Sequence, residues 1–85
     1  MTKILKNELL GEIISLMKEL EQDTGIPSNT KEKIVNSINT LNQDIDVSVK
    51  ASKVIHEMGE VSQNNNIESY TRTQLWNIVS LLEKL

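Results

Sequence analysis

Apolar residues in this chain recur at steps of three and four in four separate stretches, and no strand-like alternation competes with them. That periodicity admits amphipathic helices and leaves nothing to build a sheet from, so the chain reads as all-α. In the first stretch Leu5, Leu9, Leu10, Ile13, Leu16, Met17 and Leu20 share one face. Ile34, Val35, Ile38 and Leu41 make the second, and Val47, Ala51, Val54, Ile55, Met58 and Val61 the third. Leu75, Trp76, Ile78, Val79, Leu82 and Leu85 make the fourth.

The breaks between stretches carry their own signals. Gly25 suits a left-handed residue closing the first helix, and Pro27 cannot continue it. Asn29 followed by Glu32 reads as a capping box opening the second helix. Asp44-Ile45-Asp46 supplies the next cap, and the polar run Gln63-Asn64-Asn65-Asn66 is the clearest loop, with the fourth helix starting near Glu68. Gly11 lowers the propensity of the first helix.

Eighty-five residues form one domain, since a chain of this size buries only about 60% of the surface its unfolded form exposes and cannot supply two cores. The expected architecture is a four-helix bundle of two helix-turn-helix hairpins, about residues 2–43 and 45–85. An offset of 41 residues lays Ile14 on Ile55, Met17 on Met58, Glu19 on Glu60 and Gln22 on Gln63, then Ile26, Ser28 and Thr30 on Ile67, Ser69 and Thr71 across the loop. We read this as two copies of one hairpin, because the loop matches as well as the stripes; the competing explanation is that any two amphipathic hairpins align apolar on apolar.

Composition narrows function mainly by exclusion. A net charge of −3 with interspersed signs gives no basic field for nucleic acid, which is disfavoured as a partner. Without cysteine there is no disulfide or thiolate metal site, which suits a cytoplasmic protein. Neither a signal peptide at Met1–Lys6 nor a run approaching the roughly 20 apolar residues of a membrane span is present, so no membrane association is expected.

Candidate chemistry is sparse. His56, the lone histidine, falls opposite its helix's apolar stripe and has no second ligand to join it, so no metal site is expected. Arg72 lies i−3, i−4 and i−7 from Leu75, Trp76 and Val79, which puts its stem on the stripe, and Lys31 holds the matching place in the first hairpin. A partly buried arginine needs a carboxylate or backbone carbonyls. Glu57, then Glu60, are the expected partners; the alternative is an anion held by Ser69, Thr71 and Arg72 at a helix start. Trp76 is expected as the core's large anchor, its removal costing about 3–5 kcal/mol, with an interface role as the alternative. No carboxylate pair, phosphate loop or nucleophile elbow appears, so catalytic residues and cofactors are read as none. The leading functional reading is a non-catalytic protein-interaction or structural module, monomeric or homodimeric, with an unidentified protein partner. Its rival is an anion or nucleic-acid binding domain using Lys31 and Arg72.

Asp23-Thr24-Gly25-Ile26-Pro27-Ser28-Asn29, together with Arg72-Thr73-Gln74-Leu75-Trp76-Asn77 and the residues through Glu83, resembles the archaeal uncharacterised protein family 0147. The resemblance covers nearly the whole chain. Members show a Val-Pro-Arg-Asn turn after the first helix and Arg-Thr-x-x-Trp at the start of the last. Here Ser28 stands in place of the usual arginine and Glu68 where proline is common. The resemblance implies a compact helical bundle and brings no activity, cofactor or ligand with it.

Overall fold

The four apolar stripes become four helices: α1 (Lys6–Glu21), α2 (Ser28–Leu41), α3 (Val47–Ser62) and α4 (Ser69–Leu82). The computed structural model describes residues 6–85; Leu5, the N-terminal segment read for targeting and the beginning of the first hairpin lie outside them. Each helix packs on two others, α1 and α3 both on α2 and α4, while among the described residues the backbones of the diagonal pairs stay apart. The result is a ring of four helices around one core, filled by Ile13, Met17, Ile34, Leu41, Met58 and Leu75 among its wholly buried side chains.

The start signals hold for α3 and shift for α2. Asp46 caps α3 by accepting from the Ser48 amide at 2.9 Å. α2 begins one residue before Asn29, with Pro27 at the cap position (φ −57°, ψ 149°) and its carbonyl accepting from Lys31 N at 3.0 Å. Proline's ring already holds φ near the value an entering helix needs, so the capping box of Asn29 and Glu32 is not formed. The Asn29 side chain instead accepts from the amide of Thr30.

Gly25 is also not left-handed, because no described residue has positive φ. The turn is closed by an aspartate: Asp23 Oδ1 accepts from Gly25 N at 2.8 Å. Forty-one residues on, Asn64 Oδ1 accepts from Asn66 N at 2.9 Å in the same way. Asp and Asn are interchangeable as side-chain acceptors in such turns, and because neither position has positive φ, Asn66 can stand where the first turn has Gly25. The backbone bonds repeat too: Asp23 N to Leu20 O and Asn64 N to Val61 O are both 3.1 Å, and Lys31 N to Pro27 O and Arg72 N to Glu68 O are both 3.0 Å. At the 41-residue offset the two turns thus share these backbone bonds and the Asp23 or Asn64 side-chain bond, while their other side-chain bonds differ.

The hairpins differ where they meet the rest of the bundle. Leu9, buried in α1, corresponds to Lys50 in α3, whose buried stem ends in an ammonium that donates to Gln43 O at 3.1 Å. That puts a cation just beyond the C-terminal end of α2, where helix carbonyls favour positive charge.

Candidate functional site

Three places could carry function: the Arg72 corner, a cleft between α2 and α3, and the outer face of α4. Arg72 sits on the side of α4 that faces α3 and is partly buried. Its Nε donates to Ser62 O at 2.9 Å and its Nη2 to Asn64 O at 3.2 Å. The expected pairing with Glu57 or Glu60 is therefore replaced by one with backbone carbonyls. The reason is directional. Carbonyls at the end of α3 have no helical partner and point on toward the incoming α4, whereas both carboxylates face the α2 side. Glu60 there meets Lys33 Nζ at 3.4 Å and His56 Nε2 at 2.9 Å, and Glu57 lines the α2–α3 cleft. Charge-assisted bonds to a helix C-terminus are favourable, so Arg72 acts as a clamp on the second turn.

Lys31, the counterpart of Arg72, does not repeat this: it is exposed and makes no side-chain hydrogen bond or ion pair among the described residues. Asn64 adds a tie between hairpins, its Nδ2 donating to Thr30 Oγ1 at 2.9 Å. Nothing in the sequence pattern flags that bond or the Lys33–Glu60 pair, since each joins residues whose proximity depends on how the hairpins dock.

The α2–α3 cleft has a volume of about 230 Å³, with Asn36, Lys53, His56 and Glu57 on its walls and Ser37 beneath. This is smaller than the roughly 300–1,000 Å³ typical of small-molecule sites. His56 is exposed, and its contact with Glu60 is an i,i+4 surface pair of the kind worth little. Among the described residues no group of three or more metal-ligating side chains converges. Ser37 Oγ is buried without a hydrogen-bond partner. Thr40 and Thr73, by contrast, bond the carbonyls four residues back. An unsatisfied buried hydroxyl weakens the fold, so Ser37→Ala should stabilise it by about 0.5–1.5 kcal/mol, part from the removed orphan and part from helix propensity. Chemical denaturation measures this directly, and a loss of stability would mean that the hydroxyl has a partner in solution.

The third place is where the sequence reading of Trp76 is corrected. Trp76 is 52% exposed and lies outside the core. Leu75, Ile78, Val79 and Leu82 fill the inward arc of α4, and the indole falls one step past its edge. The other aromatic residue, Tyr70, is 70% exposed on the same helix. Around them stand Ser69, Thr73, Asn77 and Ser80, all exposed and all uncharged. Arg72 is the sole charge in α4, and it is turned toward α3. A chain with 25% charged residues thus leaves the outside of one whole helix neutral and places both of its aromatic side chains there.

No described helix is long and apolar enough to cross a membrane. A family model described as "Uncharacterised protein family (UPF0147)" matches residues 1–85. A UPF0147 protein of Sulfurisphaera tokodaii is 33% identical over 98% of this chain and 96% of its own length. One from Thermoplasma volcanium is 30% identical over 100% and 97%. Among solved structures, a protein of unknown function superposes with a TM-score of 0.92 at 31% identity, covering 100% of this chain and 98% of the other. A UPF0147 protein from Thermoplasma acidophilum gives 0.87 at 29% identity over 93% and 94%. These relatives carry the four-helix fold and bring no assigned activity. Matched along its whole length by the family model and by full-length archaeal relatives, the chain belongs to the uncharacterised protein family UPF0147.

Proposed function

We propose that this chain is a non-catalytic helical scaffold that binds protein through the outer face of α4. The observation that carries the reading is the placement of Tyr70 and Trp76, both exposed, on a helix face without charge. Tyrosine and tryptophan are enriched, and charged residues depleted, at the cores of protein interfaces, where they also supply most hot spots. The rival use of Lys31 and Arg72 for anions or nucleic acid has less support, since two donors of Arg72 are engaged by Ser62 O and Asn64 O and the chain is net acidic. We read the scaffold as a doubled hairpin, supported by the paired turn bonds, and its home as cytoplasmic, supported by the absence of cysteine.

A photo-crosslinking amino acid placed at Asn77 and, as a control, at Ser15 on the exposed side of α1 tests this in native cells. Adducts are expected at Asn77 and not at Ser15, and they should disappear when Tyr70 and Trp76 are both changed to alanine. Equal labelling at the two positions, or adducts indifferent to the aromatics, would remove the reading.

A further inference from the structure

We infer that the cleft between α2 and α3 is a binding site for a small, net-neutral molecule with a short aliphatic body and one uncharged hydrogen-bonding group, an amide or an alcohol, seated on the hydroxyl of Ser37. This site is separate from the α4 face and does not rest on it.

The bundle has two seams between its hairpins, α2 against α3 and α1 against α4. The 41-residue offset relates them position for position, yet they are not closed alike. The α1–α4 seam keeps a hollow of about 80 Å³ beside Leu16, Asn77 and Ile78, whereas the α2–α3 cleft has about 230 Å³ beside Glu57, Asn36 and Ser37, which are the counterparts of those residues. Ile78 is 2% exposed and plugs its seam with a branched aliphatic side chain. Ser37, 1% exposed, offers only a methylene and a hydroxyl in its place. Two further exchanges act the same way: Val54 stands for Ile13 and Thr40 for Leu81, each giving up volume and the second adding a hydroxyl. Protein interiors are otherwise close-packed, with few voids larger than a water molecule, so a seam plugged on one side of the bundle and open on the other is a specific feature of the open side.

The hydroxyl makes the hollow a site. Ser37 Oγ is buried without a hydrogen-bond partner. Hydroxyls on helices have a local outlet in the carbonyl four residues back, and Thr40 and Thr73 take it at 3.0 and 3.1 Å. Ser37 does not, which leaves its capacity both to donate and to accept open at the base of the cleft. An amide or an alcohol can meet either capacity. A charged group is unsuited to this seat, because Lys53 and His56 are exposed and Glu57 also reaches solvent, so a carboxylate or ammonium at the base is buried away from a counter-ion. The apolar body lies against buried Val54, in the space that the Ile78 side chain takes in the other seam. A cleft of this volume suits a molecule below drug size. At about half the per-atom ceiling of very small ligands, about six heavy atoms give a Kd of about 1 mM.

Isobutyramide, a branched body carrying an amide, is the probe. Titrated to about 50 mM and followed by backbone amide NMR shifts, it should move Ser37, Thr40, Val54 and Glu57 along one saturating curve and leave Leu16 and Ile78 in the other seam unmoved. Isobutyrate, of the same shape but charged, should bind at least about tenfold more weakly. Ser37→Ala should weaken binding about fivefold, as loss of one hydrogen bond does, even though it stabilises the free fold. Ser37→Ile, which gives this seam the side chain of its counterpart, should abolish the shifts with helicity unchanged. If that variant fails to fold, the response of Ser37→Ala decides. No saturating shifts at the cleft, equal binding of isobutyrate, or binding indifferent to Ser37→Ala overturns the inference. So does a cleft that shows only a long-lived water beside Ser37 and no response to the amide, since it is then hydrated and not a ligand site.

Discussion

Leu75→Ala is expected to lower the unfolding free energy by about 2–5 kcal/mol, while Trp76→Ala, one residue along, should cost no more than about 1.5 kcal/mol. Leu75 is 0% exposed, in the inward arc of α4, and its truncation opens a cavity that the surrounding Met, Ile and Leu side chains fill only in part. Deleting a larger side chain that is already half in water removes less buried apolar surface and leaves no closed void. Urea unfolding of the two variants, with the denaturant slope checked for constancy, makes the comparison. Equal losses, or a larger one for Trp76, would return the indole to the core and remove the basis for reading α4 as a binding face.

The second large effect is expected at Arg72. Changing it to methionine keeps much of the apolar stem but removes the donors to Ser62 O and Asn64 O, and bonds from a charged group are worth more than neutral ones. The loss should be about 2–3 kcal/mol, tempered because the group is only partly buried and water can reach part of the gap. Arg72→Lys should recover only a fraction, since one ammonium does not span two carbonyls as the planar guanidinium does. Glu57→Gln should be nearly neutral alone and simply additive with Arg72→Met. Recovery of stability in that double variant would show that the arginine pairs with the carboxylate after all.

Taken together, these two positions show how far a one-dimensional reading reaches. Helical spacing assigned both Leu75 and Trp76 to the apolar side of α4. Spacing resolves direction only in steps of about 100°, and the edge of the buried arc is set by how closely neighbouring helices approach. In a ring of four helices, where each touches two others, that arc admits Leu75, Ile78, Val79 and Leu82 and stops short of the indole. For Arg72 the sequence stated the requirement, a carboxylate or backbone carbonyls, and the expectation of Glu57 or Glu60 took the wrong one of the two. The choice depends on where α3 ends in space relative to α4. The candidate face itself was legible only in part: the alternative interface role for Trp76 pointed to it, while Tyr70, Thr73 and Asn77 carried no periodic signal of their own.

What the residues determined alone is what depends on near neighbours along the chain. Four stripes at helical spacing, an aspartate cap at Asp46, an Asn-rich second turn and a 41-residue offset needed no tertiary contact, because caps, turns and periodicity act over a few positions. Docking of the hairpins decided the rest: the tie from Asn64 to Thr30, the Lys33–Glu60 pair, the stranded hydroxyl of Ser37 and the exposure of both aromatic residues. Each of these depends on distances between segments far apart in sequence, and such distances are set by how four cylinders pack around one core.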